Sequence, residues 1–137
     1  MSIIKKICGM PMEHKLAVFL WLVMLHSLTV GIGLITSPAW LLQRFGFAFD
    51  PARFFVTQGG VFHLVMTLCY GLAAHDQHRF EGLVILSIAA KSIATVFLLI
   101  YYLAVVPLPV VLLSALADFL MGLVIFLLHR SSRSGNR

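Results

Sequence analysis

Four stretches of the chain, about 16–36, 54–74, 83–104 and 108–128, are apolar almost without interruption, and each is close to the ~20 residues that carry an α-helix across ~30 Å of hydrocarbon. Polar residues gather between these runs instead of alternating within them. The runs are too long and too continuous for barrel strands, and a backbone in lipid must satisfy its own hydrogen bonds. The pattern predicts an all-α fold: a single membrane domain over residues 1–137, built as a four-transmembrane-helix bundle. The Ser/Arg-rich end, about 131–137, is expected to be a disordered tail.

The links add detail. "HDQHRFEG" is short and charged, and "VVPLP" is shorter still, so the third and fourth helices should be antiparallel neighbours. The longer "TSPAWLLQRFGFAFDPARFF" is punctuated by Pro38 and by Asp50–Pro51. Its aromatic residues suit an interfacial or re-entrant segment at headgroup level. Asp50 would cap the second helix, with Pro51 in its first turn. The first apolar run exceeds a signal-peptide core and no small-x-small cleavage site follows it, so it reads as a true helix.

Composition agrees: 61% of the 137 residues are hydrophobic and 11% are charged, against about 25% charged in soluble domains. Such a chain cannot cover its surface with polar groups, so lipid is its first partner. Lys5, Lys6, Lys15, Arg79, Arg130, Arg133 and Arg137 fall on one side of the bundle and Arg44 and Arg53 on the other. That asymmetry predicts both termini in the cytoplasm of a multi-pass cell-membrane protein. The net charge of +5 is then a topology signal. No basic face with stacking or base-reading groups accompanies it, so nucleic acid is not an expected partner. Cys8 and Cys69 make neither a CxxC pair nor a disulfide framework.

The candidate chemistry lies inside the apolar runs. His26, His63, Lys91 and Asp118 sit one per helix, each about 13–16 Å from the inner end at 1.5 Å per residue. A charge at that depth costs a few kcal/mol or more and is a functional candidate by default. Stripes of small and polar residues accompany each: His26, Thr29, Gly33; Gly59, His63, Thr67, Tyr70; Ser87, Lys91, Thr95; and Ser114, Asp118, Gly122. Such stripes bring membrane helices close together, so they are expected to face inward and join the four groups in a polar pocket. Asp118 would keep Lys91 charged, Lys91 would hold an oxyanion or carbonyl, and a histidine could relay a proton. Gln58 and Tyr70 are further lining candidates.

Other readings stay open. Lys91 and Asp118 can be a helix clamp with no ligand. His26 and His63 can be read as axial haem ligands, although Lys91 and Asp118 crowd that layer. At the inner rim His14, His75, Asp76, His78 and His129, with Glu81, carry donors that suit zinc, iron or nickel, or form a solvated loop. No cofactor motif is legible, and none of these patterns decides whether the protein is an enzyme.

Three segments resemble small four-helix bacterial membrane proteins of the DoxX-like family. They are "GLITSPAWLLQRFG", "ARFFVTQGGVFHLVMTLCYGLAAHD" and "RFEGLVILSIAAKSIATVFLLIY". The resemblance implies a bacterial inner-membrane location and, from some members, a link to quinone-based membrane redox systems. The Arg- and Gly-rich opening of the first helix in better-defined members is missing, so no catalytic residue carries over. The resulting expectation is a polar midplane pocket for a small quinone- or isoprenoid-like molecule, in a redox or lipid pathway, alone or as an accessory subunit. The alternatives are a membrane enzyme using His/Asp acid–base chemistry, and a proton-coupled transporter. The transporter would need a homodimer, since four helices are few for one path.

Overall fold

A computed structural model describes residues 10–46 and 52–134. Its elements are α1 (Met12–Thr36), α2 (Ala39–Arg44), α3 (Phe54–His75), α4 (Glu81–Ala104) and α5 (Pro109–Ser134). All four long helices are long and apolar enough to cross a membrane, which makes this a multi-pass membrane protein and an all-α bundle. No strand occurs among the described residues.

Helix boundaries exceed the hydropathy estimate at the end of the bundle that holds Met12 and Ser134. Met12 begins α1, with Pro11 in the N-cap position, and α5 continues through Ser134. Residues 131–134, expected in a disordered tail, are therefore helical. Hydropathy marks where hydrocarbon ends, whereas hydrogen bonding continues for as long as the side chains tolerate it. Here Ser132 and Ser134 hydroxyls donate to the carbonyls of His129 and Arg130, and Arg133 pairs with Glu81 at 3.1 Å.

At the opposite end of the bundle Pro38 follows α1 and starts the short α2, whose Trp40 is largely exposed. The expected cap Asp50, with Pro51, lies outside the described residues. Arg53 occupies the N-cap position of α3 with a left-handed φ of 51° and no side-chain cap. Its guanidinium Nη2 donates to the Leu34 carbonyl at 3.3 Å, placing a cation at the negative end of α1.

Each long helix runs antiparallel to its neighbours, and both ends of the described chain lie at the same basic face. The helices pack as two intimate pairs, α1 with α3 and α4 with α5; the pairs meet through α1 against α5 and, more sparingly, α3 against α4. The first pair approaches through Gly31 and Gly60. A Cβ on Gly60 would stand 2.8 Å from the Gly31 carbonyl oxygen and 2.7 Å from Ile35 Cγ1, so only hydrogen fits. The shared core contains Leu16, Leu20, Val23, Met66, Tyr70, Ala73, Val84 and Ile125, which belong to all four helices. It fills the half of the bundle next to the basic face. Beyond Thr95 nothing in α4 is buried.

Candidate functional site

The α4 stripe faces inward as its spacing predicts: Ser87, Lys91 and Thr95 are all buried. Ser87 and Thr95 donate back to the carbonyls of Leu83 and Lys91, which hides their hydroxyl protons from lipid. Lys91 Nζ donates to Asp118 Oδ1 at 2.5 Å. The lysine side chain is 4% exposed and the aspartate 15%. On another side the ammonium lies 5.7 Å from the centroid of the buried Tyr70 ring, within reach of a cation–π attraction. Gly122 makes the helix approach possible, since a Cβ there would meet Lys91 Cβ at 3.1 Å. The expected Lys91–Asp118 pair between antiparallel α4 and α5 is thus present.

The histidines depart from expectation. On α1 the buried line is Leu16, Leu20, Val23, Ser27 and Gly31, one position round from the expected stripe. His26 and Thr29 are exposed, and nothing lies within 4 Å of a Cβ built on Gly33. Ser27 takes the inward place. Its hydroxyl donates to the His63 carbonyl at 3.0 Å and lies 3.2 Å from His63 Nδ1. A histidine protonated on Nδ1 satisfies both contacts at once. Sequence reasoning missed Ser27, although its i, i+4 relation to Gly31 was a usable sign of a close-packed face.

Two further stripes shift by one residue. Gly60, not Gly59, is buried on α3, and Ser114 on α5 is exposed with its hydroxyl bonded to the Val110 carbonyl. Thr67 and Tyr70 are buried as expected, whereas Gln58 is exposed and not part of the midplane layer.

The four titratable groups lie within electrostatic reach of one another, but among the described residues no single hydrogen-bond network joins them. Lys91 and Asp118 form one unit and His63 with Ser27 a second, while His26 lies on the outer surface of α1. A groove of about 380 Å³ lies laterally between α4 and α5 at the level of Asp118, open toward lipid. Ile88, Val96, Phe119, Leu123 and Phe126 supply apolar walls, and Asp118, Ser92 and Thr95 supply the polar lining. Lys91, expected to be the contact residue, does not line the groove, whereas Asp118 does.

At the basic face His14, His75, Asp76 and His78 border one shallow depression, and His129 borders another with Glu13, Glu81 and Arg133. Of the two readings open for these residues, the solvated one fits better, since among the described residues no three His, Cys, Asp or Glu side chains converge as ligands. Their geometry is that of a helix-end clasp. His78 pairs with Glu13 at 3.4 Å and His129 with Glu81 at 3.6 Å. Asp76 Oδ1 accepts from the backbone N–H groups of Arg79 and His78 at 2.9 and 3.1 Å, shaping the turn after α3. The Arg79 amide, ahead of the weaker opposing effect of desolvation, holds the Asp76 carboxyl below its ordinary value.

Compared with family models, with curated proteins and with solved structures, the chain matches none.

Proposed function

We propose that this is an integral membrane protein that binds a small lipophilic molecule, quinone- or isoprenoid-like, at its polar midplane. The observation that carries the reading is the lateral groove between α4 and α5, with the Asp118 carboxylate set among apolar walls. A volume of about 380 Å³ falls within the ~300–1,000 Å³ usual for small-ligand sites. The opening toward lipid suits a ligand that arrives from the bilayer, and Lys91 pairs with the carboxylate at a depth where an isolated charge is costly. A place in a redox or lipid pathway of the bacterial inner membrane, as an accessory subunit or alone, follows from the resemblance to DoxX-like proteins in "ARFFVTQGGVFHLVMTLCYGLAAHD" and "RFEGLVILSIAAKSIATVFLLIY".

The test is ligand-induced stabilisation in lipid nanodiscs, with quinones, hydroquinones and polyprenols as probes. At least one class should raise the unfolding temperature saturably, because a ligand that binds only the folded state stabilises it by mass action. The double variant Lys91→Met/Asp118→Leu, which removes both charges together, should lose that response. Absence of a saturable response from every class would refute the reading.

A further inference from the structure

The groove's polar lining has a single hydrogen-bonding sense. Ser92 and Thr95 each own one hydroxyl proton, and each spends it on its own helix: Ser92 Oγ donates to the Ile88 carbonyl at 2.9 Å and Thr95 Oγ1 to the Lys91 carbonyl at 2.8 Å. Only oxygen lone pairs remain for a molecule in the groove. Asp118 adds a carboxylate, an acceptor and nothing else when ionised. Lys91 takes Oδ1, and Oδ2 receives no hydrogen bond among the described residues. The Lys91 side chain, which carries the strongest nearby donor, is 4% exposed and does not line the groove. The other lining residues are apolar or, at Gly122, lack a side chain.

We propose, building on the lipophile-binding reading, that the groove selects apolar molecules whose head donates a hydrogen bond, with an isoprenoid alcohol as the matching chemistry. An alcohol gives its one proton to Asp118, the charged acceptor of the groove. An ether or carbonyl of the same shape brings acceptor against acceptor and leaves its own oxygen desolvated and unpaired. A carboxylate adds repulsion from Asp118 with no reachable donor to offset it. Charge assistance makes the alcohol contact stronger than a neutral hydrogen bond, and the low-dielectric surroundings enlarge the difference.

The experiment uses the full chain in lipid nanodiscs and three tritiated probes with one tail: farnesol, farnesyl methyl ether and farnesoic acid at neutral pH. Saturable binding is measured above that of empty nanodiscs. Farnesol should bind about tenfold or more tighter than the ether, the size expected for one charge-assisted hydrogen bond, and the acid should bind no better than the ether. Val96→Trp, which fills the groove from an exposed position on α4, should abolish farnesol binding while leaving the pair beneath intact. Saturable binding of all three with equal affinity, or preference for the ether or acid, overturns donor selection and leaves the lipophile reading standing. Farnesol binding that survives Val96→Trp removes the groove as its location. Absence of saturable binding for every probe overturns donor selection of an isoprenoid alcohol, and the lipophile reading then stands or falls on the quinone and hydroquinone response.

Discussion

At the scale of residues, Lys91 shows how a cation is held in a membrane helix. A carboxylate and an aromatic face serve the ammonium, and a glycine on the facing helix leaves room for its stem. Removing one partner strands the other. Lys91→Met and Asp118→Leu should each lower stability in detergent by about 2–3 kcal/mol, somewhat under the ~3–5 kcal/mol of a fully buried pair because Asp118 is partly open. The double variant should recover most of that loss, which a double-mutant cycle by thermal unfolding reads directly. A double variant that is stable but no longer binds ligand marks the pair as part of a site; full retention of binding marks it as a clamp. The inward position on α1 gives a second contrast. Ser27→Ala should cost about 0.6–1.7 kcal/mol, the range of interhelical hydrogen bonds in lipid, whereas His26→Ala should be near neutral. Equal costs for the two would contradict the orientation of α1.

Helix pairs are the next scale, and their contacts are set by glycine. Gly60→Ala forces a methyl against the Gly31 carbonyl and Ile35, a backbone atom and a branched side chain with little freedom to withdraw. A loss of about 1–3 kcal/mol is expected from such overpacking. Gly33→Ala on α1 meets open space and should be tolerated. Parallel thermal unfolding of the two variants checks this, and similar losses would mean that α1 and α3 do not pack through Gly60. The turn joining α3 to α4 depends on the ionised Asp76. Its carboxyl titrates below the ordinary carboxylate range, so its contribution is present above the unfolded-state value and disappears as pH falls through the folded one. Protection factors of the His78 and Arg79 amides should therefore drop in acid, and Asp76→Asn should lower them already at neutral pH.

For the molecule as a whole, the arrangement of two intimate pairs joined mainly through one core predicts how the chain divides. Two halves, split between His78 and Arg79 and co-expressed in a membrane, should co-purify, since each keeps its own pair and presents its share of the core. Ile125→Glu, at a fully buried position on α5 within that core, should abolish the association. Co-purification that survives this change would place the contact between the halves elsewhere. Four spans, an even number, put both described ends on one side, and the Glu13–His78 and Glu81–His129 contacts close that side.

Four spans and their antiparallel order were legible because hydrocarbon thickness sets a length, and short links leave neighbouring helices no other arrangement. Pairing of Lys91 with Asp118 was legible as well, since two charges at one depth on adjacent helices have nowhere cheaper to go. Facing was not. In water an amphipathic stripe points to the core, but in lipid both the inside and the outside of a helix are apolar, and the stripe loses its meaning. On α1, where almost every side chain suits either side, the fit of Gly31 to Gly60 turns Ser27 inward and His26 outward. On α4 the charge itself fixed the direction, and there the expected stripe held. The groove beside Asp118 belongs to the tertiary structure alone: it exists because α4 and α5 close on Lys91 and Gly122 and part toward lipid, and no single segment contains it.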